Sequence, residues 1–167
     1  MASQVPDPID SVLETLNEPP PRGLFTRLAR VALHLSRLQE EAIDGLPIKY
    51  SDYTVLNTLR RFGEDGGLPV VRLARLVLRP VGSMTLILDR LEKASLIERR
   101  ADPGDRRSVL IGLTEEGESV ARRGAEAYDR IQARVVGAVA PDELDRIDGA
   151  IRTLLGSLEA DSAREPS

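Results

Sequence analysis

Cysteine is missing from this chain of 167 residues, tryptophan is missing, and there is one histidine, His34. The first absence excludes disulfides, thiol nucleophiles and redox sensing through sulfur. With one imidazole and no thiolate, a metal centre would have to be built almost wholly from carboxylates, so no metal site is expected. Aromatic residues make up 3 % of the chain. The core must then come from Leu, Ile, Val and Ala, which suits helices better than a β-sandwich. No apolar run approaches the roughly 20 residues a membrane helix needs, and Met1 to Asp10 lacks the basic start and apolar run of a secretory signal. A cytoplasmic protein that avoids membranes is expected. A Gly-rich phosphate loop and a nucleophile motif are also absent. The adjacent acids Glu115 and Glu116 are explained by a helix start. The sequence therefore points away from an enzyme, and no cofactor is expected.

What is present is unevenly distributed. The formal net charge is −4, which taken alone argues against nucleic acid. Yet between Arg72 and Arg107 nine basic residues face five acidic ones, a local excess of four positive charges. Local field, not net charge, governs contact with phosphate.

The apolar pattern is helical almost throughout. Pro19, Pro20 and Pro21 close a tail over residues 1–21. Leu24, Leu28, Val31, Leu35, Leu38 and Ala42 alternate at spacings of four and three, predicting a first helix from Gly23 to Ile43. A second helix is predicted over Ser51–Phe62, with Ser51 as its N-cap and Val55, Leu56 and Leu59 inward. A third runs over Pro69–Leu78 with Val70, Leu73, Ala74 and Val77 apolar, and a fourth over Val81–Ala94 with Met84, Leu88 and Leu91 as core. Two short strands then flank the turn Ala101-Asp102-Pro103-Gly104-Asp105 and make a β-hairpin. Thr114 caps a fifth helix reaching Val139, with Val120, Ala127, Ile131 and Val135 inward. Pro141 opens a sixth, in which Leu144, Ile147, Ile151, Leu154 and Leu158 recur on one face.

The expected fold is mainly α with a small β-hairpin wing. Residues 51–113 form a winged helix-turn-helix, flanked by dimerisation helices over 22–50 and 114–160, with a polar tail over 161–167. In such an arrangement one short helix enters the major groove while a basic hairpin reaches phosphates or the minor groove. Double-stranded DNA and a second copy of the chain are the expected partners. A non-catalytic winged-helix interaction or architectural protein without a specific operator is the alternative.

The segment Leu88-Asp89-Arg90-Leu91-Glu92-Lys93-Ala94, then Leu96-Ile97-Glu98-Arg99-Arg100, then Asp102-Pro103-Gly104-Asp105-Arg106-Arg107-Ser108 and Leu113-Thr114 resembles the MarR family of regulators. Asp52-Tyr53-Thr54-Val55-Leu56 and Leu73-Ala74 extend the likeness. The resemblance implies a homodimeric repressor released from its operator by a small, possibly phenolic, aromatic ligand. By position it implies DNA contacts from Arg79, Ser83, Thr85, Arg90, Arg99, Arg100, Arg106 and Arg107, with Asp105 and Arg107 pairing to hold the wing. It also places His34 and Tyr53 near the ligand site of the family, where partly buried packing is the other reading of both. Two features depart from the family pattern, one at Leu86 and Ile87 and one at Ser95. Leu86 and Ile87 stand where polar residues are usual, and either they contact thymine methyls or they pack inward. Ser95 replaces a glycine, at a cost of roughly 1 kcal/mol if the backbone there is left-handed.

Overall fold

The structure is a computed structural model that describes residues 20–63, 67–105 and 108–162. The described elements follow the order α1 (Pro20–Ala42), α2 (Tyr50–Phe62), β1 (Leu68–Pro69), α3 (Val70–Leu76), α4 (Val81–Lys93), β2 (Ile97–Ala101), β3 (Val109–Leu113), α5 (Glu115–Val136) and α6 (Pro141–Ser162). This is the expected winged helix with flanking helices. The described residues up to Tyr128 form one compact unit and those from Asp129 onward a second, the boundary falling within α5.

The first unit is organised around one apolar core. Val55, Leu56 and Leu59 of α2 meet Leu73 and Ala74 of α3, Met84, Ile87, Leu88 and Leu91 of α4, Leu96, Ile97 and Ile111 of the hairpin, and Val120 and Ala121 of α5. On α2 the inward positions include Asp52, Val55, Leu56 and Leu59, which is the spacing of one helical face. The hairpin strands pair antiparallel, with Arg99 opposite Ile111 and Ala101 opposite Val109. A third strand, absent from the sequence reading, widens the sheet to the order β1-β3-β2. Leu68 of β1 pairs with Ile111 and is buried. Gly67 makes this approach possible: its φ is +91°, and a Cβ there would lie 2.3 Å from the Ile111 carbonyl oxygen.

Several boundaries move from where the sequence put them. Helix α1 begins at Pro20, because proline is tolerated in a first turn that has no partner for its missing N–H. Helix α2 begins at Tyr50, so Ser51 is not its N-cap. Instead the Asp52 carboxylate accepts the Lys49 backbone N–H at 3.0 Å. Helix α3 stops at Leu76 and Pro69 belongs to β1. Thr114 does cap α5, its hydroxyl accepting the Gly117 N–H at 3.0 Å and donating to the Ser95 carbonyl at 2.7 Å. Helix α5 ends at Val136, and Val135, expected inward, is exposed. The expected tails over 1–21 and 161–167 fall mostly outside the described residues.

Helices α3 and α4 end alike. The N–H of Leu78 bonds the Arg75 carbonyl and that of Arg79 the Ala74 carbonyl; the N–H of Ser95 bonds Glu92 and that of Leu96 bonds Leu91. Each is a Schellman motif, with its left-handed residue at Leu78 (φ +53°) or Ser95 (φ +58°). Neither is glycine, so each corner stores roughly 1 kcal/mol of strain.

Within α1, Leu24, Phe25, Val31, Leu33 and Leu35 are exposed. The second unit is dominated by α6, on which Ile147, Ile151, Leu155 and Leu158 are exposed and no described residue is buried. No helix among the described residues is long and apolar enough to cross a membrane.

Candidate nucleic-acid interface

Helix α4 has two faces. Met84, Ile87, Leu88 and Leu91 are buried, while Gly82, Ser83, Thr85, Leu86 and Asp89 are exposed. The pair Leu86 and Ile87 noted above therefore splits. Ile87 packs inward and Leu86 is 75 % exposed. Pro80 sets the entry to α4, and its carbonyl accepts both the Ser83 N–H at 3.0 Å and the Ser83 hydroxyl at 2.8 Å. Arg75 and Arg79 lie just before this turn, both exposed and making no ion pair among the described residues.

Arg90 has a different surrounding from its expected DNA partner. Its Nε donates to the two Asp52 oxygens at 3.2 and 3.0 Å, and its terminal nitrogen adds a third bond to the same carboxylate. Asp52 is 2 % exposed and the Arg90 side chain 41 %. The bonds to Asp52 raise the Arg90 guanidinium above its ordinary basicity against the opposing pull of burial. The pair ties the last turn of α4 to the first turn of α2. Sequence reasoning overlooked Asp52 in this role, although an acid on the apolar face of a helix, three and four residues before Val55 and Leu56, signals a buried partner.

The charge of the hairpin stem lies on β2. Arg99 reaches Asp89 at 2.5 Å and Glu92 at 3.4 Å, linking β2 to the exposed side of α4. Arg100 pairs with Glu98. At the turn, the Asp102 carboxylate accepts the Gly104 N–H at 2.8 Å, and the Asp102 N–H bonds the Ser108 carbonyl at 3.2 Å. Asp105 is exposed, and its carbonyl accepts the Ser108 N–H at 2.8 Å. Arg106 and Arg107 lie outside the described residues, and with them the expected Asp105–Arg107 pairing.

His34 and Tyr53 fall in unlike places. His34 is exposed on α1. Tyr53 is buried, its ring so close to Gly124 of α5 that a Cβ there would stand 2.7 Å away. The Tyr50 ring lies 5.8 Å from that of Tyr53. Partial burial, helped by Tyr128, Tyr53 and Glu40, pushes the Tyr50 phenol up to about 12. The three tyrosines of the chain thus gather at one place. A hollow of about 300 Å³ between α2 and the sheet, bordered by Arg60, Arg100 and Glu118, includes neither His34 nor Tyr53. The described residues hold no cluster of His, Cys, Asp or Glu able to bind a metal ion.

Comparison with known proteins bears on this geometry. The MarR family model matches residues 51–109, from the start of α2 to the start of β3. The HTH-type transcriptional regulator PecS of Dickeya dadantii (strain 3937) is 28 % identical over 155 residues, covering 90 % of this chain and 91 % of that one. The uncharacterized HTH-type transcriptional regulator YhbI of Bacillus subtilis (strain 168) is 37 % identical over 110 residues, 64 % of this chain and 68 % of that one. In fold, the chain is similar to MepR of S. aureus as seen in a MepR–DNA complex, with a TM-score of 0.72 and 22 % identity over 80 % of this chain and 97 % of that chain. These relatives are regulators and not enzymes, and the chain belongs to the MarR family of DNA-binding, winged-helix transcriptional regulators.

Proposed function

We propose that this regulator is a cytoplasmic homodimeric repressor that binds a pseudo-palindromic operator and leaves it when a small aromatic acid binds. The observation that carries the reading is the exposed face of α4, where Ser83 and Thr85 stand free of the core beside a charged hairpin. Support comes from the similarity in fold to MepR, a protein seen in complex with DNA. In this reading Ser83 and Thr85 approach base edges, Arg79 and Arg100 approach phosphates, and Arg106 enters the minor groove from the hairpin tip, with Arg107 held by Asp105. Arg90 acts through Asp52, orienting α4. Arg99 serves mainly to join hairpin and helix through Asp89 and Glu92.

Dimerisation uses the exposed apolar faces of α1 and α6, which one chain leaves in water. The effector enters beside the gathered tyrosines, where Tyr53 offers a ring and a hydroxyl. His34 is exposed in the single chain, so its part in holding an effector requires the partner protomer to close over α1. Release follows only if the effector binds the conformation that does not fit DNA more tightly than the one that does.

A two-fold dimer presents two copies of α4, with half-sites about 10 bp apart or a multiple of it. The test is a titration of the selected operator and of the same duplex with about 5 bp inserted between half-sites, which turns one half-site to the wrong face. Affinity is expected to collapse to that of scrambled DNA. Unchanged affinity would overturn the paired-helix reading.

A further inference from the structure

We propose that Leu86 is a base-reading residue, and that what it reads is the 5-methyl group of a thymine in the major groove. This rests on α4 being the recognition helix, as in the function proposed above. Leu86 leaves 75 % of its surface in water, while the adjacent Ile87 is 6 % exposed. The core of the first unit takes the other large apolar side chains in the middle of α4 and leaves this one out. A single exposed leucine is unremarkable on most surfaces. Here it stands beside Thr85, on the outward face that also carries Ser83, on the helix that follows Arg75 and Arg79.

A second observation points the same way. Gly82 lies one turn before Leu86 on the same face. Its backbone is helical, and a Cβ added there would meet nothing within 4 Å. Neither conformation nor internal packing calls for glycine, although alanine at such a position would restrict the unfolded chain and stabilise the fold. A bare stretch of backbone followed one turn later by a branched hydrocarbon suits close approach to an external surface that carries a small apolar knob. The exposed arginines nearby require that surface to carry negative charge. In the major groove the thymine methyl is the apolar group that projects from the base edges; cytosine has only a C5–H in its place, and the other features that protrude there are hydrogen-bond donors or acceptors. Leucine has nothing to offer those features and would desolvate them without recompense. It therefore selects thymine over cytosine at the base it covers, while Gly82 makes room for the approach.

Replacing thymine by deoxyuridine removes that methyl and nothing else. In a bound operator, each thymine of a half-site is replaced in turn, and wild type and Leu86→Ala are titrated on every duplex. At one or two positions the wild type should lose about fourfold in affinity per methyl, and Leu86→Ala should be indifferent to the same replacement. Wild-type indifference at every thymine, with sequence-specific binding intact, overturns this inference and leaves the proposed function standing. A loss of the same size in Leu86→Ala also overturns it, because another side chain is then the reader. Failure of the wild type to prefer any duplex removes both readings together. Gly82→Ala should raise the thermal midpoint by about 1–4 °C and weaken operator binding. A stabilised variant with undiminished affinity would remove Gly82 from the inference.

Discussion

Helices α2 and α6 carry comparable apolar patterns and meet opposite fates. In α2 five of thirteen residues are buried, whereas no described residue of α6 is buried. Periodicity tells that a helix has an apolar side; it does not tell whether that side is covered by the same chain. The core around Leu56 is complete within one protomer. The faces of α1 and α6 are not, which is why we assign them to a second copy.

Substitution on each side sharpens the contrast. Leu56→Ala empties a site with no solvent access and should cost about 3 kcal/mol in urea unfolding. Ile151→Asp on α6 should instead separate the protomers in sedimentation while leaving the circular-dichroism signature of the fold. If Ile151→Asp unfolds the chain as Leu56→Ala does, the contrast is wrong. Next in size is Arg90→Met, which strands the buried Asp52 carboxylate. The cost should be about 2 kcal/mol, below the usual range for a broken buried pair because Arg90 is itself partly solvated. Adding Asp52→Asn should recover part of it, a coupling that a double-mutant cycle reads directly. Ser95→Gly and Leu78→Gly should each stabilise by roughly 1 kcal/mol, by relaxing a left-handed corner. Smallest of all, Arg146→Ala on α6 removes an exposed pair with Asp142 at 3.0 Å. It should change stability by less than about 0.5 kcal/mol.

The sequence made the helices, the hairpin and the Thr114 cap legible because each has a local signal: periodicity, a turn composition, a hydroxyl before acids. What escaped it depends on distant partners. Strand β1 is two residues long and includes a proline, so it shows no alternation; it exists because Gly67 lets Leu68 reach Ile111. Arg90 counted as one more cation in a basic stretch, and only the fold brings it to Asp52, 38 residues earlier. Leu86 and Ile87 are neighbours of the same chemistry, but here spacing does decide: Ile87 falls on one helical face with Met84, Leu88 and Leu91, and Leu86 does not. The left-handed turn at Ser95 was foreseeable from the position of a missing glycine. The same turn at Leu78 was not, since a leucine that is 92 % exposed gives no warning.

The division of α4 into two faces has an evolutionary consequence. Four side chains hold the helix in the core, the Schellman corner after α3 delivers the chain to its start, and the one at Ser95 carries it away. None of these anchors lies on the outward surface formed by Gly82, Ser83, Thr85 and Leu86. Mutation can therefore explore that surface almost without penalty to folding, and a duplicated copy of this chain could acquire a new operator vocabulary while inheriting its scaffold unchanged.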